Sequence, residues 1–262
     1  MMTVPGEILK GVVTGVVAGF SSGLVGVSPG GFLVPIASLT LGVPQHLAQA
    51  ISLVAQAPPT SLSGVSNYRK GGHTAPISWV IILSCGFVLG GVAGAALTSR
   101  FSNHELRWMF VGYLLILAVV SAVRGRKAKE AAAGHERRHV AWAGLVVIGA
   151  VGGFSSGLLG IGGGLAITAL SAILLRIGQH QAQSLSLMML ALPLTLPAAW
   201  VYVRQGAHLP WWAIAGILLG LVVGTKGGAI VANKLPERKL KVAFIVFIVV
   251  ILGMAIYMAV TA

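Results

Sequence analysis

Two glycine clusters interrupt apolar sequence at corresponding places in the chain. They read Gly26-Val-Ser-Pro-Gly-Gly31 and Gly160-Ile-Gly-Gly-Gly164. Consecutive glycines unwind a helix, and a helix that starts after the break exposes free N–H groups and about half a positive charge. Such helix ends bind anions, although glycines also let helices pack closely. We predict that the backbone binds an anion at Gly30, Gly31, Gly162, Gly163 and Gly164.

Hydroxyl and amide side chains in the same apolar segments supply further hydrogen-bond donors. Gln49 and Ser52 are three residues apart and share a helix face, as do Gln183 and Ser186. Polar side chains within a span are costly unless they face protein or water, so these faces should point inward. There they either bind substrate or join helices by hydrogen bonds. The predicted binding side chains are Ser21, Ser22, Gln49, Ser52, Ser155, Ser156, Gln183 and Ser186.

Acidic residues are missing from the apolar segments. The chain has no Asp, and its five Glu lie at segment ends or in loops. A carboxylate site for Na⁺ or Ca²⁺ therefore has no ligands, although coordination by carbonyl groups alone stays open. A small anionic substrate is the expected ligand.

Three basic residues are candidates for gating or proton coupling. His46 and His180 take equivalent positions at two helix starts, where they either position the helix or titrate near neutral pH. Arg204, which follows Tyr202 at a segment end, either guides an anion into the outer vestibule or anchors the segment at the interface. An alternative function is metal or haem binding by His46 and His180. We expect no metal, cofactor or catalysis, since the chain has no P-loop motif, and its Glu residues lie at segment ends or in loops, where none is placed to orient a histidine as a base.

An internal duplication positions all of these residues. The stretch Gly15–Gly26 matches Gly149–Gly160 at 9 of 12 positions, and a second block around Gln45 matches one around Gln179. We assign residues 1–130 to the first repeat with its cytoplasmic linker and residues 131–262 to the second, packed as one membrane unit. Glycine-broken segments at matching places in two halves are typical of a transporter's substrate site.

The composition indicates an all-α polytopic membrane protein. Hydrophobic residues make up 56% of the chain and charged residues 9%, which is too apolar for a soluble globule. Ten apolar segments are predicted, five in each half, and the second of each half is short enough to be a broken or re-entrant helix. The segments are 8–27, 31–43, 46–67, 77–99, 105–123, 140–160, 164–177, 180–203, 211–233 and 240–261.

Charge distribution predicts the topology. An odd number of crossings per half gives two inverted repeats, and most Lys and Arg then fall in loops on one side of the membrane. The positive-inside rule places that side in the cytoplasm and both termini in the periplasm. The net charge of +13 thus orients the protein and meets lipid headgroups, and nucleic acid is not an expected partner.

The pattern Gly-x-x-Ser-Gly-x-x-Gly-x-Gly-Gly-Gly, from Gly153 to Gly164, resembles the TauE/SafE sulfite exporter family, and Gly19–Gly31 carries it in degraded form. The resemblance covers nearly the whole chain. It implies a secondary transporter in the bacterial inner membrane that exports sulfite, sulfoacetate or a related organosulfonate. Alternating access around one central site, with a substrate gradient or a coupled proton or other ion as the energy source, is the expected mechanism.

Overall fold

A computed structural model describes residues 4–25, 28–58, 76–116, 142–175, 177, 179–234 and 237–260. Within these ranges the regular structure is entirely helical, as predicted, and comprises eleven helices. In chain order they are α1 (Val4–Val25), α2 (Gly30–Leu41), α3 (Gln45–Ala55), α4 (Ile77–Thr98), α5 (103–116), α6 (Trp142–Leu159), α7 (Gly164–Leu174), α8 (Gln179–Leu190), α9 (Leu196–Arg204), α10 (Trp211–Lys234) and α11 (Glu237–Val260).

Four of the described helices are long and apolar enough to cross a membrane. These are α1, α4, α6 and α10. Their outward faces carry large apolar side chains such as Leu89, Leu219 and Val223, each more than 60% exposed. Apolar side chains on the outside of a helical protein are expected where lipid, rather than water, is the solvent.

The four long helices form two close pairs, and each pair combines one helix from each of the two predicted repeats. Helix α1 packs along α10, and α4 packs along α6. Glycines recur every four residues on the contact faces, so the backbones approach closely: a methyl group at Gly15 would collide with the Ile217 carbonyl, and one at Gly90 with the Ala150 carbonyl. This is the small-residue packing known from membrane helices.

Both pairs are parallel. Gly11 lies against Ala213 and Gly23 against Thr225, so α1 and α10 run in the same direction. The contact of Gly86 with Val146 and of Gly94 with Phe154 gives the same result for α4 and α6. The predicted topology requires this arrangement, because in it the first and ninth segments cross the membrane in one direction and the fourth and sixth segments cross in the opposite direction.

The short helices fill the space between the pairs. Helix α2 returns along α1, and α7 returns along α6, so each long helix forms a hairpin with the short helix after its glycine cluster. The eighth predicted segment is not one span: it divides into α8 and α9 around Pro193, in the irregular stretch 191–195. Proline lacks an N–H and excludes the preceding residue from the α conformation, which explains the break.

Candidate functional site

The second glycine cluster separates α6 from α7. Helix α6 ends at Leu159 and α7 begins at Gly164. Gly160, Gly162 and Gly163 have φ angles of 71°, 80° and 67°, which lie in the left-handed region that glycine adopts without strain. The predicted break is therefore present, and the first-turn N–H groups of α7 lack acceptors within their own helix.

The first glycine cluster separates α1 from α2 and meets the second one. Residues 26 and 27 lie outside the described part of the chain, and Ser28 and Pro29 lead into α2 at Gly30. The Ser28 hydroxyl is 3.3 Å from the Ile161 carbonyl oxygen, and Gly30 lies directly against Ile161. Ser28 also packs against Gly164. The N-terminal ends of α2 and α7 thus converge on one buried cluster.

Side chains of α3 hold this cluster together. Ser52, which is completely buried, donates a hydrogen bond to the Gly160 carbonyl at 2.7 Å. The amide nitrogen of Gln56 donates to the Ser52 hydroxyl at 2.8 Å and approaches the Gly160 carbonyl at 3.3 Å. The Gln56 amide oxygen accepts a 2.6 Å hydrogen bond from the Ser28 hydroxyl. These bonds connect both glycine clusters through one helix.

Gln49 lies one helical turn before Ser52 on α3, beside Tyr202. The Tyr202 hydroxyl donates to the Gly157 carbonyl at 2.8 Å and lies 3.1 Å from the Gln49 amide oxygen. Gln49 is fully buried, yet its amide nitrogen has no hydrogen-bond partner in the protein. A 180° rotation of the amide would turn that nitrogen toward Tyr202 and leave the oxygen without a partner. In either orientation a buried polar atom stays available to a ligand.

The remaining predicted side chains lie around this centre. The Ser186 hydroxyl donates to the Gly164 carbonyl at 3.1 Å. Ser21 and Ser155 bond carbonyl groups of their own helices, Ser22 is buried, and the buried Ser156 hydroxyl has no partner. The side chains of His180 and Gln183 lie outside the described part of the structure.

The candidates for gating or proton coupling, His46 and Arg204, lie apart from the glycine clusters. The His46 ring contacts the Tyr202 ring with the centroids 4.7 Å apart and the planes tilted by 47°, and its Nε2 is 3.4 Å from the Gln205 amide oxygen. Arg204 is exposed and lies over the Trp200 ring. Among the described residues no group of three or more His, Cys, Asp or Glu side chains could hold a metal ion.

Three residues around the cluster are not among the predicted binding side chains: Tyr202, Gln56 and Ser28. Tyr202 precedes Arg204 near the end of a predicted segment, yet its side chain is fully buried. No sequence pattern links Tyr202 to Gln49, because the two residues meet only through the packing of α9 on α3. Gln56 did carry a signal: it follows Gln49 by seven residues and therefore shares its helix face.

The cluster is tightly packed in this structure. A methyl group at Gly162 would collide with the Gln56 amide, and one at Gly163 would lie 2.6 Å from both the Gly152 carbonyl and the Phe87 ring. A ligand of several atoms therefore requires the two glycine clusters to move apart.

Comparison with known proteins adds two matches. The family described as "Sulfite exporter TauE/SafE" matches residues 11–258. The chain is also 28% identical over 232 residues to the "Probable membrane transporter protein YdhB" of Bacillus subtilis (strain 168), a match that covers 86% of this chain and 90% of that protein. No solved structure matches the chain.

Proposed function

Because the chain belongs to the TauE/SafE sulfite exporter family, and is therefore a multi-pass membrane transporter, we propose that its substrate is a small sulfur-containing oxyanion. Sulfite, sulfoacetate and related organosulfonates are the candidates. We further propose that the protein exports this anion across the bacterial inner membrane by alternating access, with both termini in the periplasm and the two repeats inverted.

The observation that carries this proposal is the meeting of two helix N-termini. Helices α2 and α7 begin within the same buried cluster, one from each repeat, where Gly30 lies against Ile161. Each N-terminus contributes about half a positive charge and several N–H groups without acceptors. Two such ends that face each other attract an anion and repel a cation.

The side chains around the cluster favour the same class of ligand. Hydroxyl and amide groups of Ser28, Ser52, Gln56 and Ser186 line it. Every Glu of the described chain lies outside it, at or near the ends of α1, α5 and α11. In the orientation that places its oxygen at Tyr202, the Gln49 amide nitrogen supplies a further buried donor. Neutral donors without nearby carboxylates can bind the several oxygen atoms of a sulfonate or sulfite group.

The packing suggests which parts move. One buried apolar core is built mainly from α1, α2, α3, α5, α10 and α11, and a second from α4, α6, α7 and α8. The glycine-lined pairs are tight within each core, whereas the α3–α9 contact lies between the cores. The end of α6 and Ile161 of the second glycine cluster reach across to the first core. We propose that the cores rock against each other and open the cluster to alternate sides.

The outer candidates then have a place in the cycle. His46 on α3 contacts Tyr202 on α9 and the adjacent Gln205, which in turn bonds the α4 carbonyls of Ala95 and Ala96. This contact therefore joins the two cores above the cluster, and we propose that it forms the outer gate. Arg204 at the exposed end of α9 would draw anions toward it. Proton coupling through His46 stays a proposal.

Transport by purified protein in liposomes tests the proposal. We expect saturable exchange of ³⁵S-labelled sulfite across the membrane, with competition by sulfoacetate or another sulfonate and none by acetate or Na⁺. Empty liposomes and liposomes that contain the Gln49→Leu variant are the controls. Absence of saturable exchange for every sulfur oxyanion would disprove the substrate assignment, while preferred exchange of a carboxylate would redirect it.

A further inference from the structure

The Gln56 carboxamide occupies an unusual position for a neutral side chain. It lies between Gly30, the first residue of α2, and Gly162, just before α7, and a methyl group on either glycine would collide with it. Its oxygen accepts the Ser28 hydroxyl at 2.6 Å. An amide oxygen, which carries partial negative charge, therefore sits where the two positive helix ends meet.

The fold itself does not require an amide at this position. The duplicated block around Gln45 and Gln179, continued along both repeats, places Leu190 opposite Gln56 in the alignment. Leu190 packs against Gly164, the first residue of α7, much as Gln56 packs against Gly30. An apolar side chain of similar size thus satisfies the same packing in the second repeat. The polar end of Gln56 needs a separate explanation.

We propose that Gln56 is an internal substitute for the substrate, a conclusion that rests on the proposed transport of an oxyanion. In this closed state its amide oxygen takes the place of one substrate oxygen, and its nitrogen stabilises the Ser52 hydroxyl that caps Gly160. The substrate and the carboxamide cannot occupy the cluster together, because no space separates Gln56 from Gly162. Substrate binding displaces Gln56, and its return closes the empty carrier.

This competition lowers the apparent affinity. The site can bind substrate only when Gln56 has moved out of the cluster. The apparent dissociation constant therefore equals the intrinsic one divided by the fraction of molecules in which the site is open. Removal of the amide therefore tightens binding, by about fivefold if the Ser28–Gln56 bond contributes about as much as an average buried hydrogen bond. A direct ligand or a purely structural residue would give the opposite sign or no change.

Three variants test the proposal by equilibrium binding of ³⁵S-labelled sulfite to purified protein. Gln56→Leu, which copies Leu190, is expected to bind about fivefold more tightly than wild type. Gln56→Glu, whose tethered carboxylate competes permanently, is expected to lose binding near neutral pH. Gln45→Leu makes the same change on the same helix at a buried glutamine outside the cluster, and is expected to match wild type.

The outcomes separate the two proposals. If wild-type protein binds no sulfur oxyanion, the transport proposal fails and the Gln56 proposal falls with it. If wild type binds and Gln56→Leu binds equally or more weakly, the transport proposal stands and the role of Gln56 is overturned. Should Gln56→Glu not fold, as judged by gel filtration, Gln56→Asn replaces it: the shorter amide cannot reach Ser28, so tighter binding than wild type is expected.

Discussion

Ser52 in the first predicted repeat donates its hydroxyl hydrogen to the carbonyl of Gly160 in the second, with 2.7 Å between the two oxygens. A broken helix leaves its last carbonyls without partners, and a buried carbonyl without a partner is costly. A side chain from the other copy of the duplication therefore supplies a bond that the broken helix cannot make for itself.

Replacement of Ser52 by Ala removes this bond and leaves the Gly160 carbonyl with only the long Gln56 contact. We expect a loss of about 1 kcal/mol in stability and weaker sulfite exchange, since the cluster loses a fixed donor. Thermal unfolding in detergent and liposome exchange measure the two effects. Ser38→Ala is the control: it removes a comparable bond to the Val43 carbonyl outside the cluster, and should lower stability without altering exchange.

Gly162→Ala is expected to abolish exchange. The φ angle of 80° strains any other residue, and the new methyl group would collide with Gln56. Gly42→Ala separates these effects, because Gly42 has a φ of 66° but no atom within 4 Å of the added carbon. We expect Gly42→Ala to cost about 1–2 kcal/mol in stability and to keep exchange. Equal behaviour of the two variants would show that strain alone, and not the close contact, matters at Gly162.

Gln49→Leu is expected to weaken anion binding by about 10- to 100-fold, the contribution of a hydrogen bond to a charged ligand. Stability should change little, because the Gln49 amide nitrogen has no partner in the protein. Tyr202→Phe is the matched variant with the opposite pattern. It leaves the Gly157 carbonyl without its donor, and should lower the unfolding temperature more than it lowers affinity. Unchanged affinity in Gln49→Leu would remove this residue from the site.

Gly90→Leu is expected to prevent folding. Gly90 lies against the Ala150 backbone, so a large side chain would force α4 and α6 apart. Gly253→Leu makes the same change at an exposed position of α11 with no atom within 4 Å, and should be neutral or stabilising by about 1 kcal/mol. Yield of the monodisperse peak in fluorescence-detected gel filtration reports both results. Normal yield for Gly90→Leu would contradict the observed pairing.

Cysteine labelling tests the topology. Cys85 is the single cysteine of the chain, so Cys85→Ala provides a background without reactive thiols. In whole cells a membrane-impermeant maleimide should label Ser102→Cys, after α4, but should reach Lys234→Cys, at the end of α10, only after permeabilisation. Both positions are exposed. The reverse pattern would place the termini in the cytoplasm.

Local sequence was enough to predict helix content and helix breaks. Apolar runs identify spans by their length, and the consecutive glycines of 160–164 can hardly stay helical. The predicted helix boundaries were less accurate near prolines. Helix α3 gives way to a turn at Gln56, two residues before Pro58, and Pro193 divides α8 from α9. At Pro193 the chain leaves the helix over several residues rather than bending within it.

The site was predictable only in part, for a reason visible in its residues. Gln49, Ser52 and Gln56 share a face through helical periodicity, which a sequence shows directly. The partners of these residues are Tyr202, Gly160 and Ser28. Those contacts depend on how α3 packs against α6 and α9, and the periodicity within one segment does not encode contacts between segments. The pairing of α1 with α10 and of α4 with α6 was not predicted for the same reason.

That pairing has a consequence for biogenesis. Helix α1 cannot find its glycine-matched partner until α10 has left the ribosome, because α10 belongs to the later copy. Neither copy on its own possesses both members of a close pair. A split between them would give two fragments that each present an unfilled groove to lipid, and the fragments could recover a native particle only by finding each other within the bilayer.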